Sequence, residues 1–116
     1  MNTRSKGKEA EDAAVNYLVE RGYKILERNY YGGRCEIDII ARSKNIVAFI
    51  EVKSSNSEIP PETMVNIIKI QNLYRAAEMY LTGREESDVD YRFDLIAMRK
   101  TGKLWKINHI EDAFRL

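Results

Sequence analysis

Apolar positions recur at two different periods along this chain. Between residues 8 and 21, Ala10, Ala13, Ala14, Tyr17 and Leu18 fall at helical spacing, and Gly22 follows as a stop signal. Three alanines in that stripe predict a helix lying close to its neighbour. The period then shortens. Tyr23–Arg28 reads as a short strand, followed by turn-prone Asn29 and a flexible aromatic loop, Tyr30-Tyr31-Gly32-Gly33. Arg34–Arg42 and Ile46–Ser54 are strands rich in β-branched residues, with Ser43-Lys44-Asn45 between them as a hairpin connection. Pro60-Pro61 introduces a second helix over about 62–82, ended by Gly83. An acidic loop, EESDVD, precedes a strand at Tyr91–Arg99, and Thr101-Gly102 turns the chain into a last strand, Leu104–Ile110. The order α-β-β-β-α-β-β predicts an α/β fold, a mixed sheet with helices packed on its faces.

The 116 residues contain no internal repeat or linker and read as one domain, 1–116. The lone Cys35 excludes a disulfide framework and any cysteine-based zinc site, which predicts a reducing, cytoplasmic setting. The opening MNTRSKGKEAED is polar, and no apolar run approaches the roughly 20 residues that span a bilayer, so no membrane association is expected. Nineteen Lys and Arg against eighteen acids give a net charge of +1, which advertises no polyanion partner. That balance is uninformative, because acids that ligate a metal ion no longer face the partner.

The candidate chemistry sits on the predicted hairpin. Asp38 stands among Ile37, Ile39, Ile40 and Ala41, although Asp is depleted in strands and rarely buried without a partner. On the next strand Glu51 and Lys53 flank Val52 and share one face. If Lys44-Asn45 forms a two-residue turn, or residues 43–46 a four-residue one, Asp38 lies opposite Glu51 and Glu36 opposite Lys53. Directly opposed Cβ atoms are roughly 4.5–5.5 Å apart, and two carboxylates at that distance repel. A divalent cation between them removes the repulsion, and carboxylate oxygens are the ligands Mg²⁺ prefers. A three-residue turn would instead put the acids on opposite faces. Solvated cross-strand charges are the bland alternative, but the Asp in an apolar strand, the shared register and the nearby lysine together outweigh it.

Two helical residues point the same way. Glu11 falls beside Ala14 and Leu18 on the apolar side of the first helix, either reaching the sheet as a further metal or water ligand or curling back to solvent. Lys69 sits on the apolar stripe of the second helix, with Val65, Leu73, Ala76 and Tyr80, either snorkelling or aimed at the carboxylates as a phosphate contact. Tyr30 and Tyr31 either stack on a splayed base or pack on a sheet edge. His109 reads as structural, and Cys35 as a small packed residue.

An acid on the first helix, Asp on one hairpin strand and ExK on the next resembles the PD-(D/E)xK, or restriction-endonuclease-like, superfamily. AEDAAVNYL (10–18), GYKILERN (22–29), CEIDIIA (35–41), FIEVK (49–53), PPETMVNIIK (60–69), RFDLIA (92–97) and NHIEDAF (108–114) resemble, over nearly the whole chain, the YraN-like family of uncharacterised bacterial proteins. That family is itself similar to archaeal Holliday-junction resolvases. The chain departs from it at Cys35, where a Gly is usual, and near Tyr31, where a basic residue is frequent.

The resemblance implies a restriction-endonuclease-like mixed sheet flanked by helices and an active site of Glu11, Asp38, Glu51 and Lys53. The expected activity is Mg²⁺- or Mn²⁺-dependent hydrolysis of DNA phosphodiester bonds, on branched or single-stranded DNA. Asp38, Glu51 and Glu11 would hold the metal, while Lys69, Arg34, Tyr30 and Tyr31 would contact nucleic acid. Action on two strands favours a symmetric homodimer. The alternative is a non-catalytic nucleic-acid or protein interaction module on a nuclease-like scaffold, and an RNA substrate is not separable from a DNA one by sequence.

Overall fold

Alanine spacing explains how the first helix sits. The computed structural model describes residues 3–55 and 66–114, with side chains from residue 7 onward. In α1 (Thr3–Glu20), Ala10, Ala14 and Leu18 recur every four residues and are all buried, so the helix lies flat on the sheet. Gly22 (φ 91°) then turns the chain, and the Tyr23 N–H bonds back to the Leu18 carbonyl. The helix begins five residues earlier than periodicity suggests, since polar turns carry no apolar signal.

Five strands follow in the predicted positions: β1 (Lys24–Gly32), β2 (Cys35–Ser43), β3 (Ile46–Ser55), β4 (Asp90–Thr101) and β5 (Leu104–Ile110), with α2 (Ile67–Leu81) between β3 and β4. They form one sheet in the order β1-β2-β3-β4-β5. Every neighbouring pair is antiparallel except β3 and β4, which are parallel and are linked by the crossover containing α2. The predicted α-β-β-β-α-β-β mixed sheet is the observed one. Helix α2 starts at Asn66, whose side chain caps the Lys69 N–H at 3.0 Å. The Pro60-Pro61 start and residues 62–65 of the predicted helix lie outside the described residues.

The helices cover opposite faces of the sheet. Ala10, Ala14 and Leu18 pack on Ile39, Ala41, Ala48, Ile50, Ile96 and Met98. Leu73, Ala76 and Ala77 of α2 pack on Cys35, Ile37, Ile40, Val47, Phe49 and Leu95. The aromatic loop predicted at Tyr30–Gly33 is corrected here: β1 continues to Gly32, pairing Tyr30 with Ile37, Tyr31 with Glu36 and Gly32 with Cys35. Gly32 is required there because a Cβ would lie 2.8 Å from the Ala76 Cα, so α2 presses on bare backbone.

Candidate active site

The predicted hairpin register holds. Ser43 pairs with Ile46 across Lys44-Asn45, with Lys44 in the left-handed region (φ 56°), and the ladder continues to Ile39 opposite Ile50. It stops there, one pair short of Asp38 and Glu51. Ile37 faces α2 while Ile39, two residues on, faces α1, so side-chain alternation slips at Asp38. Its carboxylate turns toward β3 instead, where Oδ2 accepts the Val52 N–H at 2.8 Å. The expected cross-strand pairs Asp38–Glu51 and Glu36–Lys53 are therefore not ladder pairs, because the strands part before reaching them.

Asp38 and Glu51 are nonetheless neighbours in a dry setting, 6% and 2% exposed. Burial, and then the Glu51 charge, push the Asp38 carboxyl up to about 8, against the lowering effect of the Val52 N–H. Glu51 is raised as well, since burial outweighs two lysines. Lys53 on β3 and Lys69 on α2 each bring Nζ to 3.6 Å from Glu51 Oε1. Glu51 Oε2 is buried with no hydrogen-bond partner among the described residues. An unpartnered buried carboxylate oxygen is costly, and a cation is the partner that would satisfy it.

Glu11 stands at the rim. Its side chain is 18% exposed, accepts from Asn29 Nδ2 at 2.9 Å and lies 4.0 Å from Arg28, while its charge also raises Asp38. Among the described residues, no three Asp, Glu, His or Cys side chains are gathered into one coordination sphere. The donor set that fits a divalent cation is thus Asp38 with Glu51, leaving places for water and a phosphate oxygen. Glu11 instead lines an open cleft of about 750 Å³ with Lys8, Arg28, Asn29, Tyr31 and Glu36. Glu36, which also raises the Asp38 carboxyl, lines this cleft and is not a ladder partner of Lys53.

The other predicted contacts divide. Tyr31 is 65% exposed on the cleft, and Arg34 is exposed in the turn before β2. Tyr30 is corrected: it turns inward, edge-on to Tyr80 with centroids 5.2 Å apart, and packs in the core. Cys35 is buried against α2, as its small size suggests.

Two features escaped the sequence reading. Asn29 lies level with Asp38 in the β1–β2 register and adopts φ 51°, which aims its amide at Glu11. Its sequence signal was only that Asn tolerates the left-handed region. The second is a buried network around Asp94, which is 0% exposed. Arg92 donates to both of its carboxylate oxygens at 2.8 Å, His109 Nε2 lies 2.8 Å from Oδ2, and the Asp112 N–H reaches Oδ1 at 2.9 Å. Tyr17 OH contacts His109 Nδ1 at 3.1 Å, and Tyr23 OH accepts from Arg92 at 2.7 Å. Burial alone would raise Asp94, but His109, Arg92 and Asp112 together hold it below its ordinary value. His109 is thereby structural, tying α1 to β4 and β5.

Residues 10–98 match the model of the uncharacterised protein family UPF0102. A UPF0102 protein of Flavobacterium johnsoniae is 41% identical over 113 residues, covering 93% of this chain and 92% of its own. Relatives in Pseudothermotoga lettingae (44% over 105 residues, 90% and 94% covered) and Geobacter metallireducens (37% over 118 residues, 100% and 97% covered) carry the same family name. The matches span nearly the whole fold, Asp38, Glu51, Lys53 and Lys69 included, and the chain belongs to the UPF0102 family.

Proposed function

We propose that this chain is a Mg²⁺- or Mn²⁺-dependent endonuclease that hydrolyses DNA phosphodiester bonds, with branched, Holliday-junction-like DNA among its candidate substrates. The observation that carries this reading is the buried acid pair: Asp38 pushed up to about 8 beside Glu51, whose Oε2 lacks a partner among the described residues. Folding alone is better served by apolar residues there, whereas a divalent cation between the two acids compensates both. Among the described residues no helix is long and apolar enough to cross a membrane.

Asp38 and Glu51 would hold the cation, which when bound supplies Lewis acidity toward a phosphate oxygen and the attacking water. Lys53, reaching over the face of β3, orients that water and offsets the negative charge that builds on the phosphate. Lys69, reaching Glu51 from α2, binds a non-bridging phosphate oxygen. Glu11, held by Asn29, accepts a hydrogen bond from water at the cleft. Arg34 and Tyr31 contact the strand beyond, and a symmetric homodimer cuts two strands of a junction.

The test is cleavage of branched, single-stranded and duplex DNA during a Mn²⁺ titration. Cleavage that saturates with the ion and vanishes in Asp38→Ala and Glu51→Ala supports the reading. DNA binding that ignores divalent ions, with no cleavage of any substrate and no loss on Glu51→Ala, assigns the chain instead to the non-catalytic module.

A further inference from the structure

Charge along this nearly neutral chain is unevenly placed. Between Asp94 and Glu111 there is no acidic residue, and Arg99, Lys100, Lys103 and Lys106 fall within eight positions. Taking these four from nineteen leaves fifteen Lys and Arg against eighteen acids elsewhere. The four belong to the β4–β5 hairpin, whose turn is Gly102-Lys103. Lys100 is committed to Glu9 of α1 and lies over the Trp105 ring. Lys103 and Lys106 are exposed.

The strand registers fix which way the rest of the hairpin looks. Val47 and Phe49 of β3, and Phe93 and Leu95 of β4, pack on the α2 side, so Glu51, Lys53, Ala97 and Arg99 share that side by alternation. Lys53 pairs with Ala97 and Ala97 with Asn108; Ser55 pairs with Arg99 and Arg99 with Lys106. Helix α2 packs chiefly over β1 and β2 and reaches β4 at Phe93 and Leu95. Ala97 and Ser55 on these rows are buried, and the side chain that emerges at their outer end, on the same side as the acid pair, is Lys106.

We infer that the β4–β5 hairpin, through Lys103 and Lys106, binds the phosphate backbone of DNA flanking the phosphate held at Asp38 and Glu51. This rests on the reading of the site as DNA-directed and names the surface that holds the rest of the substrate. The hairpin tip lies about four residues beyond the Lys53–Ala97 row, or roughly 13 Å at 3.3 Å per residue. That matches about four nucleotides at 3.4 Å of axis per strand charge. The lysines therefore grip phosphates that the catalytic lysines cannot reach.

The experiment measures equilibrium binding of the full chain to a labelled duplex DNA oligonucleotide in EDTA, where no metal-dependent cutting occurs, from about 50 to 200 mM salt. Lys103→Gln/Lys106→Gln should weaken binding about tenfold or more at the middle of that range. It should also make the slope of log affinity against log salt shallower by about 2, irrespective of sequence. Lys24→Gln, an exposed lysine at the far end of the sheet, should leave the slope unchanged. An unaltered slope in the double variant overturns the hairpin assignment while leaving the hydrolytic reading standing. Hairpin-dependent binding without Mn²⁺-dependent cleavage does the reverse, and a wild-type chain that binds no DNA overturns both.

Discussion

The Val52 N–H donates to Asp38 Oδ2 over 2.8 Å, so a side chain takes up a backbone donor just where the β2–β3 ladder ends. An Asn at position 38 keeps an acceptor oxygen for that bond and cannot ionise. The folded carboxyl is pushed up to about 8 from 3.8, so between those values the folded chain binds more protons than the unfolded one. Stability contributed at this site is therefore complete below about pH 4 and is lost as pH rises through about 8. Asp38→Asn should melt with the wild type near pH 4 and several degrees above it at pH 8 in EDTA. Thermal unfolding across that range checks the crossover, and added Mn²⁺ should raise the wild-type midpoint at pH 8 but not the variant's.

Lys53 and Lys69 stand at the same 3.6 Å from Glu51 Oε1 but arrive from different elements. Lys53→Ala should lower single-turnover cleavage on the order of 10²–10³-fold with little change in DNA affinity, as loss of a charge-stabilising group does. Lys69→Ala should act mainly on affinity and make its salt dependence shallower by about 1. Equal effects of the two on both quantities would overturn this division of roles.

Asp94 accepts four hydrogen bonds and is itself fully buried at the centre of its ionic network. Asp94→Ala leaves Arg92 and His109 without their partner and should cost about 3–5 kcal/mol by denaturant unfolding. Because its folded value is lowered, this contribution is full at neutral pH and drains away as pH falls below the ordinary 3.8. The wild type should therefore lose stability in acid faster than Asp94→Asn does.

Gly32→Ala should destabilise by about 1–3 kcal/mol, the usual cost of overpacking. The added Cβ meets the backbone of α2, 2.8 Å from the Ala76 Cα and 3.1 Å from its carbonyl oxygen. Ala76→Gly in the same chain should consequently fail to rescue it, which thermal melts of the two variants would establish.

Much of this molecule was legible in advance, and the gaps have physical causes. Period-2 runs at 34–42 and 46–54 and the Lys44-Asn45 turn were enough to place Asp38 beside Glu51. What alternation cannot convey is where a ladder stops, since that depends on the slip at Asp38. Gly32-Gly33 gives Tyr30 and Tyr31 the sequence signature of a loop, yet pairing with Ile37 and Glu36 carries β1 through both. An Asp within an apolar strand marks position 94 as clearly as 38. The two differ only in their donors, which come from Arg92, His109 and Asp112 on three separate segments and are invisible until the chain is folded.

The left-handed backbone at Asn29 has a bearing on self-association. Strand β1 is an outer strand of the sheet, and along it the register shifts between Ile25 and Glu27 before Asn29 breaks the extended run. Its free row of amides and carbonyls is thereby uneven, and an incoming strand meets no straight template on that side. The opposite border is seven residues of unbroken antiparallel pairing in β5, with Lys106 as its one lysine. Were sheets of two molecules to merge edge to edge, the seam would run along β5.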